Sequence, residues 1–203
     1  MAKFYSGLIS LHGNLMAAVD LETTGSRVGY HEIIQVAVQP LNSDLEPVYR
    51  PFYMDVAPKY PERADKEATH VHGLNIYKLE QEALPAEKVA DMLVEWYEGL
   101  DLAYGKRLVP LAHNWAFESC FLSDWLGEKC KNLIFHVHPR DSMLYAISVN
   151  DRACFLGETP PFNSVGLGSL CLNLGIVNER PHDALADARA EALLYRQLLR
   201  YEI

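Results

Sequence analysis

Long apolar segments are missing from this 203-residue sequence, and positive charges are few. Its apolar runs are all shorter than the roughly 18 to 20 residues that span a bilayer, so a membrane protein is not expected. The first residues carry one lysine and a short apolar stretch interrupted by serine and glycine, which makes a poor signal peptide. We therefore expect a peripheral arm over residues 1–15 and a cytoplasmic protein.

Closely spaced cysteine pairs are also missing. No C-x-x-C occurs, which leaves zinc-finger and dithiol redox motifs without support. Buried free thiols, as in a reducing compartment, are the plainer interpretation. The four cysteines are Cys120, Cys130, Cys154 and Cys171.

The charge balance is acidic, with 18 Lys and Arg against 27 Asp and Glu and a net charge of -9. A protein that binds duplex nucleic acid without specificity needs a broad basic surface, which this composition argues against. The acidic composition is compatible with a nucleic-acid site that uses acids to hold metal ions, because the ions supply positive charge locally. If nucleic acid is a ligand, its footprint should be small.

Apolar periodicity predicts an α/β fold. Helices with periodic apolar positions follow the first strands and then alternate with strands, which is typical of a mixed sheet flanked by helices. Length and composition favour one domain over 1–203, with its core from residue 16 onward. The predicted strands are 16–19, 32–41, 46–56, 107–114 and 132–138, and the clearest predicted helices are 86–100, 115–126 and 184–201.

Two carboxylates stand at the end of the first predicted strand, in "AVDLETTG". Asp20 and Glu22 are two residues apart, so a strand places them on the same face. Two negative charges side by side repel each other, and a bound cation reverses the sign of that interaction. Hard divalent ions suit such all-oxygen ligation.

Further acids begin two predicted helices. Glu118 lies in the first turn of 115–126, and Asp187 in the first turn of 184–201. Each could be only a helix-dipole partner. Pro181 indicates that His182 lies outside the last helix and that Asp183 caps it. A histidine on a loop beside fixed acids is a workable general-base arrangement.

The segments "DLETTG", "HNWAFESCFL" and "HDALADARA" resemble, in this order, the three motifs of the DEDDh (DnaQ-like) 3′→5′ exonucleases. That superfamily includes the proofreading subunit of bacterial replicases and ribonuclease T. "THVHGL" (69–74) and "LGSLCLNLGI" (167–176) resemble it as well. The resemblance implies a ribonuclease H-like fold, with a five-stranded mixed sheet flanked by helices, in one exonuclease domain.

The resemblance also implies roles for the catalytic residues. Asp20 would bridge two Mg²⁺ or Mn²⁺ ions, and Glu22 and Asp187 would complete the site of the first. Glu118 would support the second ion. His182 would take the proton from the attacking water.

Substrate contacts are implied by the same resemblance. Glu22 would meet the 3′-hydroxyl, and the loop after it would hold the terminal nucleotide through its backbone. Trp115 directly follows "HN" and could stack on a base. The expected substrate-binding residues are Glu22, Thr23, Thr24, His72, Asn114 and Trp115.

Glu118 departs from the family pattern, which usually has Asp at this place. One extra methylene lengthens the arm by roughly 1.5 Å. The longer carboxylate could still support the second ion, or favour Mn²⁺ over Mg²⁺ because Mg²⁺ demands near-ideal octahedral geometry. The third alternative is that glutamate at position 118 abolishes activity.

The function that these expectations describe is a metal-dependent 3′→5′ exonuclease that releases 5′-mononucleotides from DNA 3′ ends, preferably single-stranded. The alternatives are an RNA 3′-end-trimming enzyme of the same fold and a non-catalytic nucleic-acid or replication-complex binding module. Expected partners are DNA or RNA 3′ ends and a transient replication or repair partner, with no membrane. Because only one helix follows Asp187, a stand-alone enzyme is expected rather than a permanent subunit; the oligomeric state is left open.

Overall fold

A six-stranded mixed sheet organises the computed structural model, which describes Leu8 and residues 11–202. Its spatial order is β4-β3-β2-β1-β5-β6. The central strand pairs antiparallel with β2 and parallel with β5. The strands are β1 (Leu15–Thr23), β2 (Ile33–Leu41), β3 (Phe52–Ala57), β4 (Leu84–Pro85), β5 (Leu108–Ala112) and β6 (Arg140–Asp141).

Helices cover both faces of this sheet. Within the described residues a short 3₁₀ turn, Pro61–Arg63, accompanies eight α-helices. These are α1 (Lys66–His72), α2 (Ile76–Glu82), α3 (Ala86–Glu98), α4 (Trp115–Leu126), α5 (Glu128–Ile134), α6 (Ser142–Phe155), α7 (Leu167–Asn173) and α8 (Ala184–Leu198).

Several predicted elements need correction. The sheet has six strands rather than five, because the two-residue strands β4 and β6 extend its edges. The third strand begins at Phe52, not at residue 46. The predicted strand 132–138 is wrong: α5 ends at Ile134, and only Phe135 makes an isolated bridge to Leu108. A short apolar run has no period that separates a strand from a buried helix end.

The two faces of β1 point into different apolar clusters. Ala17, Val19 and Leu21 pack in the cluster that contains residues of α3 and α4. Met16 and Ala18 pack against α8 on the other face. Because the alternation continues along the strand, Asp20 and Glu22 lie on the α8 side. A register irregularity at Glu22/Thr23 ends regular pairing with β2 there.

The start of α8 is tied to the sheet by side chains. Gln35 on β2 accepts a hydrogen bond from the Ala184 N–H at 2.9 Å. Asp183 accepts from the Ala186 N–H at 3.0 Å, which confirms it as the cap, and from the Tyr53 hydroxyl at 2.7 Å. These bonds hold the first turn of α8 beside the end of β1.

Two expectations from the composition can be checked. No helix of the described part of the chain is both long enough and apolar enough to cross a membrane. The four cysteines are free, but only Cys171 is buried, while Cys120 and Cys154 are exposed. The prediction that the thiols are buried is therefore wrong for most of them. The predicted arm, 1–15, falls largely outside the described residues.

Candidate active site

Four predicted acids meet where β1 ends. Asp20 and Glu22 come from β1, Glu118 from α4 and Asp187 from α8. Burial raises the pKa of the Asp20 carboxyl well above its usual range, and the charges of Glu22 and Glu118 raise it further. Asp187 contributes in the same direction. The four side chains therefore form one electrostatic unit.

Burial and like charge affect the other acids too. Burial, with the charges of Asp187 and Asp183, raises the pKa of Glu22 to about 7. Burial also raises the pKa of Glu118 well above its usual range, and one of its oxygens, Oε2, is buried with no hydrogen-bond partner. Such a group is costly unless something pairs with it. A cation is the partner that carboxylates of this kind accept.

A compact donor group lies at the open side of the cluster. Among the described residues, Glu22, His182 and Asp187 are grouped so that one ligand atom from each lies within 4.8 Å of the others. Glu22 is half-buried, Asp187 is buried and His182 is exposed. The arrangement places an accessible imidazole beside two fixed carboxylates, as the sequence predicts.

The loop that carries His182 is held by Asp187 itself. One oxygen of Asp187 accepts from the Asn178 side-chain amide, and the other accepts from the His182 N–H at 3.0 Å. His182 adopts a left-handed backbone conformation, with φ of 65°, and it precedes α8 as expected. Asp187 thus fixes both ends of a short loop while it retains lone pairs for another ligand.

A fifth carboxylate, absent from the prediction, lies behind the others. Glu191 is completely buried on α8, one turn after Asp187. Its Oε1 accepts from the His113 N–H at 3.0 Å, and its Oε2 has no partner. The sequence signal that could have found it is the i, i+4 spacing from Asp187, which places both on one helix face.

His72 points into a cleft next to the acids. The cleft, of about 320 Å³, is lined by Glu22, Thr23, His72 and Phe117 among others. Nδ1 of His72 accepts from the Leu74 N–H at 3.0 Å, so the neutral ring carries its proton on Nε2, which is buried and unpartnered. Burial, helped by the charge of His182, lowers the pKa of His72. The cleft therefore has a ring N–H donor without a protein acceptor.

The loop after Glu22 is tightly built. The Thr23 hydroxyl donates to the Gly25 carbonyl at 2.8 Å, and the Thr24 hydroxyl accepts from the Glu32 N–H at 2.9 Å. A Cβ on Gly25 would lie 2.5 Å from the His31 ring, which explains why glycine ends "DLETTG". Thr23 lines the cleft, whereas the side chain and the backbone N–H of Thr24 are already bonded within the protein.

The start of α4 is capped by a residue from a distant part of the chain. Asn114 stands at the N-cap position, but its side chain makes no capping bond. Asp141 accepts from the Trp115 N–H at 2.8 Å instead. Trp115 is half-buried, and its ring meets the Phe135 ring edge-on at 5.8 Å. Base stacking by Trp115 stays a prediction.

A larger cavity lies elsewhere. It measures about 620 Å³ and lies beside β3 and α2, with Tyr53, Asn75 and Lys78 in its wall. None of the five clustered carboxylates lines it. The smaller clefts beside the acids are the better candidates for substrate, because they adjoin the clustered carboxylates and His182. A second one, of about 270 Å³, is lined by Leu172, His182 and Asp187 among others.

A family model described as exonuclease, RNase_T, matches residues 17–195. The chain belongs to this exonuclease family. The match spans all three acidic segments, and it confirms the recognition of a DnaQ-like enzyme. No curated protein sequence matches the chain significantly.

Solved structures of RNase_T-like exonucleases resemble the fold. The nuclease domain of 3′hExo, a DEDDh family member bound to rAMP, has a TM-score of 0.64 at 18% identity, and the match covers 93% of either chain. E. coli Exonuclease I in complex with a dT13 oligonucleotide has a TM-score of 0.66 at 17% identity, with 91% of this chain and 41% of that one covered. A 3′-exonuclease that recognises the histone mRNA stem-loop has a TM-score of 0.67 at 17% identity, with 93% and 64% covered.

These matches confirm the predicted α/β, ribonuclease H-like fold, with its mixed sheet flanked by helices. This chain spans less than two thirds of the length of the stem-loop enzyme and of Exonuclease I. DEDDh exonucleases use divalent metal ions. The donor set fits such ions, because it consists of carboxylates with unpartnered, buried oxygens on Glu118 and Glu191.

Proposed function

We propose that this exonuclease degrades nucleic acid from the 3′ end with the help of Mg²⁺ or Mn²⁺ and releases 5′-mononucleotides. Single-stranded DNA is the substrate we favour. The observation that carries the proposal is the convergence of acids from three distant segments around one exposed histidine. Such a cluster destabilises the metal-free fold, since each buried like charge costs free energy unless it is paired.

Two ions are the cofactors we propose. Asp20, Glu22 and Asp187 would hold the first, and Asp20 with Glu118 the second. Bound between these carboxylates, the pair would activate water and stabilise the charge that develops on the phosphodiester. Mn²⁺ tolerates irregular ligation better than Mg²⁺ does, so the longer Glu118 favours an enzyme with strong Mn²⁺ activity.

The chain's own groups supply the remaining chemistry. His182 accepts a proton from water, a role that histidine fills in many hydrolases. The Asp187 bond to the His182 N–H holds the loop so that the ring stays beside Glu22. Nε2 of His72 can donate to the terminal nucleotide in the cleft. Glu22 lines the same cleft and can accept from the 3′-hydroxyl.

A series of cation–ring contacts, called the column below, joins two segments that neighbour Ser26 and Asp65 of the cleft wall. Arg63 lies 3.8 Å from the centre of the Tyr60 ring and 5.1 Å from that of Tyr30. Arg27 also lies over the Tyr30 ring, at 5.2 Å, and Lys59 over the Tyr60 ring, at 5.3 Å. In so acidic a protein, this is a place where the strand upstream of the terminal nucleotide could find both charge and stacking partners.

An RNA 3′-end trimmer is the second candidate. The solved structure that matches this chain over nearly the full length of both was bound to rAMP, a ribonucleotide. The choice between DNA and RNA depends on whether the cleft accepts the 2′-hydroxyl. A replication or repair partner that delivers the 3′ end is compatible with either candidate.

Labelled oligonucleotides of DNA and RNA test the proposal. With a 5′ label and Mn²⁺, 3′→5′ removal gives a ladder of shortening products, whereas a 3′ label is released at once as a mononucleotide. EDTA should abolish both patterns. A ladder on RNA alone would favour the trimming enzyme, and binding without cleavage in either metal would leave only a binding module.

Substituting His182 with Ala should lower kcat by about 10²- to 10⁴-fold, the usual contribution of a general base. The thermal shift produced by Mn²⁺ should persist, because carboxylates rather than the imidazole hold the ions. His138→Ala, at an exposed histidine outside the site, serves as the control. If H182A removed the Mn²⁺ thermal shift instead, the histidine would be a metal ligand and not the base.

Substituting Arg63 with Ala should raise KM about tenfold for a 20-nucleotide single strand, in line with a stacking contact of 1 to 3 kcal/mol. The KM for a dinucleotide and kcat for both substrates should not change, since the column lies beyond the reacting phosphate. The control is Arg152→Ala, which removes an exposed arginine on α6. An equal effect on both substrate lengths would place Arg63 in the terminal-nucleotide site instead.

A further inference from the structure

We propose that Glu191 is a fifth carboxylate of the metal centre and acts on the ion that Asp20 and Glu118 hold. The proposal rests on the metal-dependent function proposed above. It extends that function because none of the three recognised motif segments includes Glu191. Asp187 and Glu191 lie one helical turn apart on α8, about 6 Å along its axis.

The position of Glu191 is set by groups that do not neutralise it. Its Oε1 accepts from the His113 N–H at 3.0 Å. The His113 ring is fixed in turn, with Nδ1 at 2.7 Å from the Ser142 hydroxyl and Nε2 at 2.9 Å from the Val165 carbonyl. The side chain is therefore held in one orientation by the backbone of the segment that leads into α4.

The other oxygen has no donor. Glu191 has no exposed surface, and its Oε2 is buried without a hydrogen-bond partner. The charged groups that face it are all negative: Asp20, within hydrogen-bonding reach, and Glu118 and Asp187 further off. Arg189, on the same helix, turns away and donates to Gln39 on β2.

Glu118, on α4, shows the same pattern. Its Oε2 is also buried and unpartnered. Two helices thus each contribute one buried, unpaired carboxylate oxygen to the group of acids around Asp20. A single divalent ion among the three side chains would pair both oxygens at once, which a neutral hydrogen bond between two acids cannot do.

Mn²⁺ binding without nucleic acid tests this inference, measured by calorimetry on wild-type protein and on Glu191→Gln. Glutamine has nearly the same shape and its carbonyl oxygen can still accept from the His113 N–H, so the substitution removes the negative charge and the second carboxylate oxygen while keeping that bond. We expect the weaker of two Mn²⁺ sites to lose affinity about tenfold. Glu95→Gln, at an exposed residue of α3, makes the same change in net charge and should leave both sites unchanged.

The other outcomes are equally decisive. If E191Q binds both ions like the wild type, Glu191 is only a neutral hydrogen-bond partner of Asp20, and the inference fails while the proposed function stands. If the wild-type protein binds no Mn²⁺, both fail. Should E191Q not fold, Glu191→Asp takes its place: its shorter arm must weaken the second Mn²⁺ site, and unchanged affinity would overturn the inference.

Discussion

Asp20→Asn is expected to lower the rate of nucleotide release by about 10³-fold or more, because it removes the carboxylate shared by both proposed ion sites. The substitution also removes a buried negative charge that Glu22, Glu118 and Asp187 repel. The metal-free variant should therefore be at least as stable as the wild type. Initial rates on a 5′-labelled single strand, with thermal unfolding of the same samples, measure both effects.

A remote aspartate provides the control for this substitution. Asp91 is exposed on α3, and Asp91→Asn makes the same chemical change with no expected effect on rate. The combination of lost cleavage and retained stability separates a metal-site defect from misfolding. Wild-type activity in Asp20→Asn would remove the basis for the proposed mechanism.

Divalent metal should stabilise the protein strongly, and more at pH 8 than at pH 6. Because the pKa of Glu22 is raised from 4.5 to about 7 in the folded state, the folded protein binds more protons than the unfolded chain between these values. The other clustered acids shift in the same direction. Without metal, stability should therefore fall as pH rises through this window.

Metal binding reverses this trend, since carboxylates must lose their protons to act as ligands. At a metal concentration near 100 Kd, we expect Tm to rise by about 5 to 10 °C at pH 8, and by less at pH 6. Differential scanning fluorimetry at constant ionic strength, with and without Mn²⁺, measures the difference. A Tm that does not respond to Mn²⁺ or Mg²⁺ at either pH would contradict a metal site in this cluster.

The structure places the recognised acids on the elements that the sequence predicts, because each element depends on local periodicity. Asp20 and Glu22 follow from strand alternation, Asp183 from capping chemistry, and Glu118 and Asp187 from their places in first helical turns. The β1 and α8 contacts that unite them are long-range, and here the resemblance to a family supplied what periodicity could not. Family membership, now shown by the match over 17–195, explains why that resemblance was informative.

Other features escaped the sequence because they depend on tertiary context. Glu191 lacks the motif position that would mark it, and only burial beside Asp20 distinguishes it from a solvated helix residue. Asparagine is a favoured N-cap residue, but the Trp115 N–H donates not to Asn114 but to Asp141, which lies 26 residues further along the chain. The apolar run near Phe135 has no period long enough to decide between helix and strand, and packing against β5 decides it.

The alanines on the inner face of α8 set the dimensions of the acid cluster. Ala184, Ala188 and Ala192 share an apolar cluster with Ala18 and Ala37 of the sheet. Small side chains on both surfaces let the helix lie close to the sheet, and its acids inherit that spacing. A larger side chain at one of these alanines would push α8 away from the sheet. The carboxylates of α8 and β1 would then lie further apart and share an ion less well, although none of them is changed.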